Sequence, residues 1–154
     1  MNTISNIQSI YFVGIGGIGM SALARFAIKK NLAVFGYDKT QTALTATLEK
    51  EGADITFEDS VSSLPPKVKN NASTLVVYTP AIPEDNKILQ WFTQQDYRVI
   101  KRAEFLGELT QDTLCLAVAG THGKTTTSAI LGHLLAYCDM PVTAFLGGIT
   151  ENYK

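Results

Sequence analysis

One heptapeptide, Gly120-Thr121-His122-Gly123-Lys124-Thr125-Thr126, limits what this chain can fold into more tightly than any other stretch. Ahead of it, Leu114-Cys115-Leu116-Ala117-Val118-Ala119 is a continuous apolar run of strand length, the pattern of a strand buried on both faces. Behind it, Thr127 to Tyr137 places Ile130, Leu131, Leu134 and Leu135 on one helical face. A strand, a glycine turn and a helix gather free backbone N–H groups and the positive helix end around one point, which predicts a phosphate site. Lys124 adds a full positive charge for the outer phosphates, and Thr125 a hydroxyl suited to a phosphate-bound Mg²⁺. The loop departs from the general phosphate-loop pattern at Val118, where that pattern has its first glycine.

A second glycine loop lies near the start. Ile10-Tyr11-Phe12-Val13 runs into Gly14-Ile15-Gly16-Gly17-Ile18-Gly19, and a helix from about Gly19 to Asn31 follows with Met20, Leu23, Ala24 and Ala27 along one side. Gly14, Gly16 and Gly19 match G-x-G-x-x-G, in which the three glycines serve the tight turn, the approach of a diphosphate and close helix–strand packing. The next strand, Ala33 to Tyr37, ends at Asp38, 19 residues after Gly19. A carboxylate there either accepts hydrogen bonds from a ribose or caps the Lys39–Thr42 segment.

Further along, the pattern predicts a helix over Thr42–Glu51, a strand at Ile55–Phe57 and a surface loop through Pro65-Pro66. A strand at Thr74–Tyr78 and a helix capped by Asp85 or Asn86 come next, with Trp91 in the core. Arg98–Ile100 reads as a strand and Ala103–Leu109 as a short helix. Thr79-Pro80-Ala81-Ile82-Pro83 leaves the carboxyl end of its strand, either as the wall of a base site or as a stiff connection. Such alternation predicts an α/β fold, a Rossmann-like doubly wound parallel sheet over residues 1–111. Residues 112–154 then read as the first strand, loop, helix and strand of a phosphate-loop ATP-binding domain, with Val142–Leu146 as its second strand. That stretch is too short to bury a core of its own, which marks the chain as the amino-terminal piece of a larger enzyme.

With both loops in view, the chain resembles the start of a Mur ligase, an ATP-dependent amide-bond-forming enzyme of bacterial peptidoglycan synthesis. The resemblance rests on the run Phe12 to Ser21, on Tyr78-Thr79-Pro80-Ala81-Ile82-Pro83, on Arg102-Ala103-Glu104 and on the run Ala119 to Thr127. It implies that the first domain binds the UDP part of UDP-N-acetylmuramate. Gly14, Ile15, Gly16, Gly17, Ile18 and Gly19 would face the diphosphate, with Asp38, Thr79, Ala81 and Ile82 near ribose and uracil. It implies ATP on Gly120, Thr121, His122, Gly123, Lys124, Thr125 and Thr126, with Lys124 on the transferable phosphate and Thr125 on Mg²⁺. The reaction implied joins L-alanine to the muramate carboxylate through an acyl phosphate, and the fragment alone is expected to bind UDP compounds, to bind Mg-ATP weakly and to be inactive.

Three rivals stand beside this reading: an NAD-dependent oxidoreductase, a non-catalytic nucleotide-sensing module, and the related ligase that reattaches recycled murein peptide to the same UDP-sugar. A net charge of −1 gives no reason to expect nucleic acid or an anionic membrane as partner. No apolar run reaches spanning length, and Met1 to Ile10 lacks the basic start and apolar centre of a targeting segment. Cys115 inside an apolar strand and Cys138 after a helix read as reduced thiols of a cytoplasmic protein.

Overall fold

The computed structural model describes residues 6–69, 73–111, 113–148 and 150. It divides into two compact units, Met1–Thr113 and Leu114–Lys154. Asp112, part of the expected boundary, and the first five residues of the stretch read for targeting signals lie outside the described residues.

The first unit is built on five parallel strands: β1 Ser9–Val13, β2 Ala33–Tyr37, β3 Asp54–Thr56, β4 Thr74–Tyr78 and β5 Arg98–Lys101, in the order β3-β2-β1-β4-β5. This is the doubly wound sheet expected from the alternating pattern. β1 lies at its centre because every one of its residues is buried, so it needs a neighbour on each side and a layer on each face. Its side chains alternate. Tyr11 and Val13 share one face with Phe35, Tyr37 and Val76, closed by Leu64, Val68, Ile88 and Phe92. Phe12 points to the other face, where its ring meets Phe105 edge-on at 6.4 Å. Full burial of Ile10, Phe12 and Val13 contributes about 1.5–3 kcal/mol each.

Helices α1 Ile18–Lys29, α2 Ala43–Lys50, α3 Pro66–Lys69 and α4 Lys87–Gln94 connect the strands, and α5 Arg102–Thr110 follows β5. Thr42 and Thr45 form a reciprocal cap at the start of α2. Asn86 caps α4 through Leu89 N–H, and Asp59 adds two further bonds, Lys87 N–H to Oδ2 and Ile88 N–H to Oδ1, both at 3.1 Å. Trp91, expected in the core, is half-buried at its edge, where it packs against Phe92 and Tyr97. The surface loop expected around Pro65-Pro66 needs correction: Val61–Ser63 forms a 3₁₀ turn, and α3 begins at Pro66. Proline is suited to that first position because its missing N–H would have no partner there.

In the second unit, α6 spans Lys124–Tyr137, three residues longer at its start than the pattern suggested. Gly123 caps it in the left-handed region, φ +76°, where glycine alone carries no Cβ penalty. The two strands expected here, Leu114–Ala119 and Val142–Leu146, are not strands. A strand exists through a hydrogen-bonded neighbour, and among the described residues neither segment has one. Leu114 is accordingly 89% exposed and Leu116 55%. Along α6 the expected buried face is only half covered, Ile130 and Leu134 being exposed and Leu131 and Leu135 half-buried. Cys115, expected in a buried strand, is exposed, as is Cys138, and both thiols are free. Gly132 and the 142–148 segment still pack closely, a Cβ on Gly132 falling 3.3 Å from that of Ala144.

Candidate functional site

Strand order reverses between β1 and β4, and at such a switch point the carboxyl ends of adjacent strands open a crevice. The loop that leaves β1 lines it. Gly14 takes φ +89°, and both Gly14 N–H and Ile15 N–H donate to Tyr37 C=O, at 2.7 and 3.1 Å. Ile15 then turns inward and is fully buried over β2. It fits only because position 36 is glycine: a Cβ there would lie 2.7 Å from Ile15 Cδ1.

Gly16 N–H donates to Asp38 Oδ2 at 2.7 Å, and Thr40 N–H donates to Asp38 Oδ1 at 3.1 Å. Asp38 therefore braces the glycine loop and the entry to α2, the capping alternative of the two open for it. Each oxygen keeps a second lone pair for another donor. The close approach at Gly16 is made by the protein itself, since a Cβ would lie 2.8 Å from Asp38 Oδ2 and 3.0 Å from Thr45 Cγ2. Burial, and then the Asp59 and Asp38 carboxylates, hold the neighbouring Tyr37 hydroxyl above its ordinary pKa.

The loop after β4 closes on the same turn. Thr79 N–H donates to Val13 C=O at 3.4 Å and Ile82 N–H to Thr79 C=O at 3.1 Å. A Cβ on Gly14 would stand 2.7 Å from Thr79 Cγ2 and 3.1 Å from Ile82 Cδ1. Thr79 and Ile82 are thus in contact with the glycine loop, while Ala81 is exposed on the same turn. Three of the loop's N–H groups are engaged by protein acceptors. Those of Gly17, Ile18 and Gly19, at the start of α1, have no acceptor among the described residues. Free donors at a helix start, aimed from a rigid turn, can hold an anion.

Gly19 reveals a residue that sequence reasoning passed over. The atoms nearest its missing Cβ belong to Arg102, with Cζ at 3.2 Å and Cδ at 3.6 Å. The expected role of Gly19 in helix–strand packing gives way to room for this guanidinium. Its only sequence signal was its place in the Arg102-Ala103-Glu104 motif at the end of β5.

The other glycine loop, in the second unit, is exposed throughout. Lys124 Nζ lies across it, donating to Gly120 C=O at 2.6 Å and to Thr121 C=O at 3.0 Å. The ammonium thus rests on the loop's own carbonyls with one donor to spare. Thr125 faces the Gly147-Gly148 turn, its Oγ1 3.3 Å from where a Gly147 Cβ would be and its Cγ2 3.4 Å from that of Gly148. His122 is exposed on the loop and His133 in the body of α6. Among the described residues, no group of three or more His, Cys, Asp or Glu could hold a metal ion, and no helix is long and apolar enough to cross a membrane.

Residues 9–113 match the Mur ligase family, catalytic domain. The chain belongs to the Mur ligase family. Over 155 aligned residues it is 52% identical to a UDP-N-acetylmuramate–L-alanine ligase of Christiangramia forsetii, covering 100% of this chain and 34% of that protein. The chain spans about a third of the length of the curated relatives it matches. Among solved structures it resembles the UDP-N-acetylmuramate–alanine ligase of Thermotoga maritima, with a TM-score of 0.83 and 34% identity over 94% of this chain and 33% of that one. The UDP-N-acetylmuramate:L-alanyl-γ-D-glutamyl-meso-diaminopimelate ligase of Neisseria meningitides gives a TM-score of 0.82 at 26% identity, over 96% of this chain and 45% of that one.

Proposed function

We propose that this chain supplies the UDP-sugar domain and the ATP phosphate loop of a ligase that joins L-alanine to UDP-N-acetylmuramate in peptidoglycan synthesis. The observation that carries the reading is the convergence of the Gly14–Gly19 turn, Asp38, Thr79 and Ile82 at one switch point. It occurs in a chain 52% identical to a ligase of that name. Gly17, Ile18 and Gly19 would donate to the diphosphate, Asp38 would accept from ribose, and Thr79, Ala81 and Ile82 would flank uracil.

ATP would lie on Gly120–Thr126. The αL cap at Gly123 and the free donors at the start of α6 suit a triphosphate. Lys124 would exchange the loop carbonyls for phosphate oxygens, and Thr125 Oγ1 would join Mg²⁺, whose charge offsets that of the phosphates; carboxylate ligands would come from elsewhere. In the reaction, a muramate carboxylate oxygen takes the γ-phosphoryl group and ADP leaves. The alanine amine then attacks the acyl carbon and phosphate departs. Lys124 neutralises charge on the group in transit.

The murein-peptide ligase reading is weaker because, among solved structures, one of that kind is 26% identical against 34% for an alanine ligase. Titration of the ¹⁵N-labelled 154-residue chain with UDP-N-acetylmuramate, UDP, Mg-ATP and NAD tests the assignment. UDP compounds should shift the amides of residues 14–19, 38–40 and 79–82, and Mg-ATP should act weakly and only around 120–126. Saturable NAD binding with no response to UDP would restore the oxidoreductase and sink the ligase reading.

A further inference from the structure

Arg102 is the first residue of α5, and its guanidinium lies against Gly19 in the first turn of α1. Both positions are the positive ends of helices, where a cation is disfavoured. The side chain is exposed, and among the described residues it has no hydrogen bond and no ion pair. The other arginines are paired: Arg25 with Glu51 at 2.7 Å and Arg98 with Glu108. Gly19 leaves open the volume the guanidinium occupies, so any larger residue at 19 would displace it. Beside it lie the unengaged N–H groups of Gly17, Ile18 and Gly19. A planar fork of donors, three backbone donors and a positive helix end share one small region; Asp38 engages Gly16 N–H beside it and Glu104 lies in the first turn of α5, yet among the described residues neither pairs with the guanidinium.

We propose that Arg102 is a diphosphate-binding residue of the UDP-sugar site, closing over the nucleoside diphosphate that the glycine loop holds from the other side. The inference rests on the placement of UDP at that loop given above, and it adds the counter-charge. A guanidinium suits this task because its parallel N–H groups can grip two oxygens of a phosphate at once. It reaches the loop from the end of β5, on the far side of β4 from β1, so the diphosphate would be gripped by segments far apart in sequence.

The test compares UDP with uridine, which keeps base and ribose and lacks both phosphates, by chemical-shift titration of the 154-residue chain. Arg102→Ala should weaken UDP about 10- to 100-fold, as loss of a charge-assisted bidentate contact does. It should leave uridine within about twofold, so that most of the advantage of UDP over uridine disappears. Arg102→Lys, which keeps the charge and loses the fork, should recover part of the loss. Melting followed by Trp91 fluorescence should be unchanged, because the side chain is exposed and unpaired. Equal weakening of UDP and uridine, or UDP binding untouched by Arg102→Ala, would overturn the proposal while leaving the UDP site standing. An unsubstituted chain that ignores UDP altogether would instead remove the placement of UDP, and this inference with it.

Discussion

The hydroxyl of Tyr11 is the least comfortable polar group in the first unit. Tyr11 is fully buried at the centre of β1, its ring 4.9 Å from that of Phe92, and its hydroxyl oxygen has no hydrogen-bond partner among the described residues. Leaving such a group dry costs about 1–3 kcal/mol, whereas the ring itself contributes through burial. Tyr11→Phe keeps the ring and deletes the orphan oxygen. After subtracting the dispersion attraction that the oxygen makes with its surroundings, the substitution should stabilise the unit by about 1–2 kcal/mol, an upward shift in Tm of roughly 4–8 °C. Trp91, the one tryptophan, packs against this cluster and reports on the unit's unfolding by urea or heat. A second limb uses pH. Burial, then the nearby Asp54 and Asp59 carboxylates and Tyr37, raise the Tyr11 pKa well above its ordinary value. The unfolded chain therefore releases this proton near pH 10 while the folded chain keeps it. The contribution is fully present below pH 10 and falls by up to about 1.4 kcal/mol per unit above it, until the folded pKa is reached. Tyr11→Phe should lose that part of the alkaline decline and keep the part due to Tyr37 and Tyr97, whose pKa values are also raised by burial. Destabilisation by about 1 kcal/mol or more, with the alkaline decline unchanged, would refute the argument and imply a satisfied hydroxyl.

Asp59→Ala removes both carboxylate bonds to the start of α4 and should cost about 1–2 kcal/mol by urea titration, with Asn86 still capping Leu89. Gly36→Val would drive a side chain into Ile15; the misplaced glycine turn should lower UDP affinity by tenfold or more in calorimetry, alongside about 1–3 kcal/mol of lost stability. Under the proposed function, Lys124→Ala in a ligase carrying this loop should depress turnover by several orders of magnitude while the melting temperature stays put, since the exposed ammonium holds only loop carbonyls. A near-normal rate would remove the phosphate-loop assignment.

Strands β1, β2 and β4 were legible because their burial is written as unbroken apolar runs, and burial of that kind permits little besides a central parallel strand. The cap of α4 was legible down to two neighbours, Asp85 and Asn86, since such a residue acts on its own helix, whereas Thr42, read as helical, turned out to be the cap of α2. Asp59 was not, because it caps a helix 28 residues away and nothing local marks it. Arg102 was hidden for the same reason: its partner surface, Gly19, comes from the other end of the unit. The run Leu114–Ala119 shows the reverse failure. Its apolar letters state a need for neighbours, and letters cannot state whether a neighbour is beside them. Gly16 was read as making room for a ligand, when the carboxylate it makes room for lies at the end of the next strand.

That carboxylate changes how a ligand would arrive. With Gly14 and Ile15 tied to Tyr37 and Gly16 tied to Asp38, the turn has already given up its conformational freedom during folding. An incoming diphosphate then has no loop to order, and that part of the entropy of association does not weigh on its affinity. Capture should proceed in one kinetic phase, its rate proportional to ligand concentration and free of a slow rearrangement afterwards. Releasing the tie with Asp38→Ala should turn the same event into two phases, the second independent of concentration.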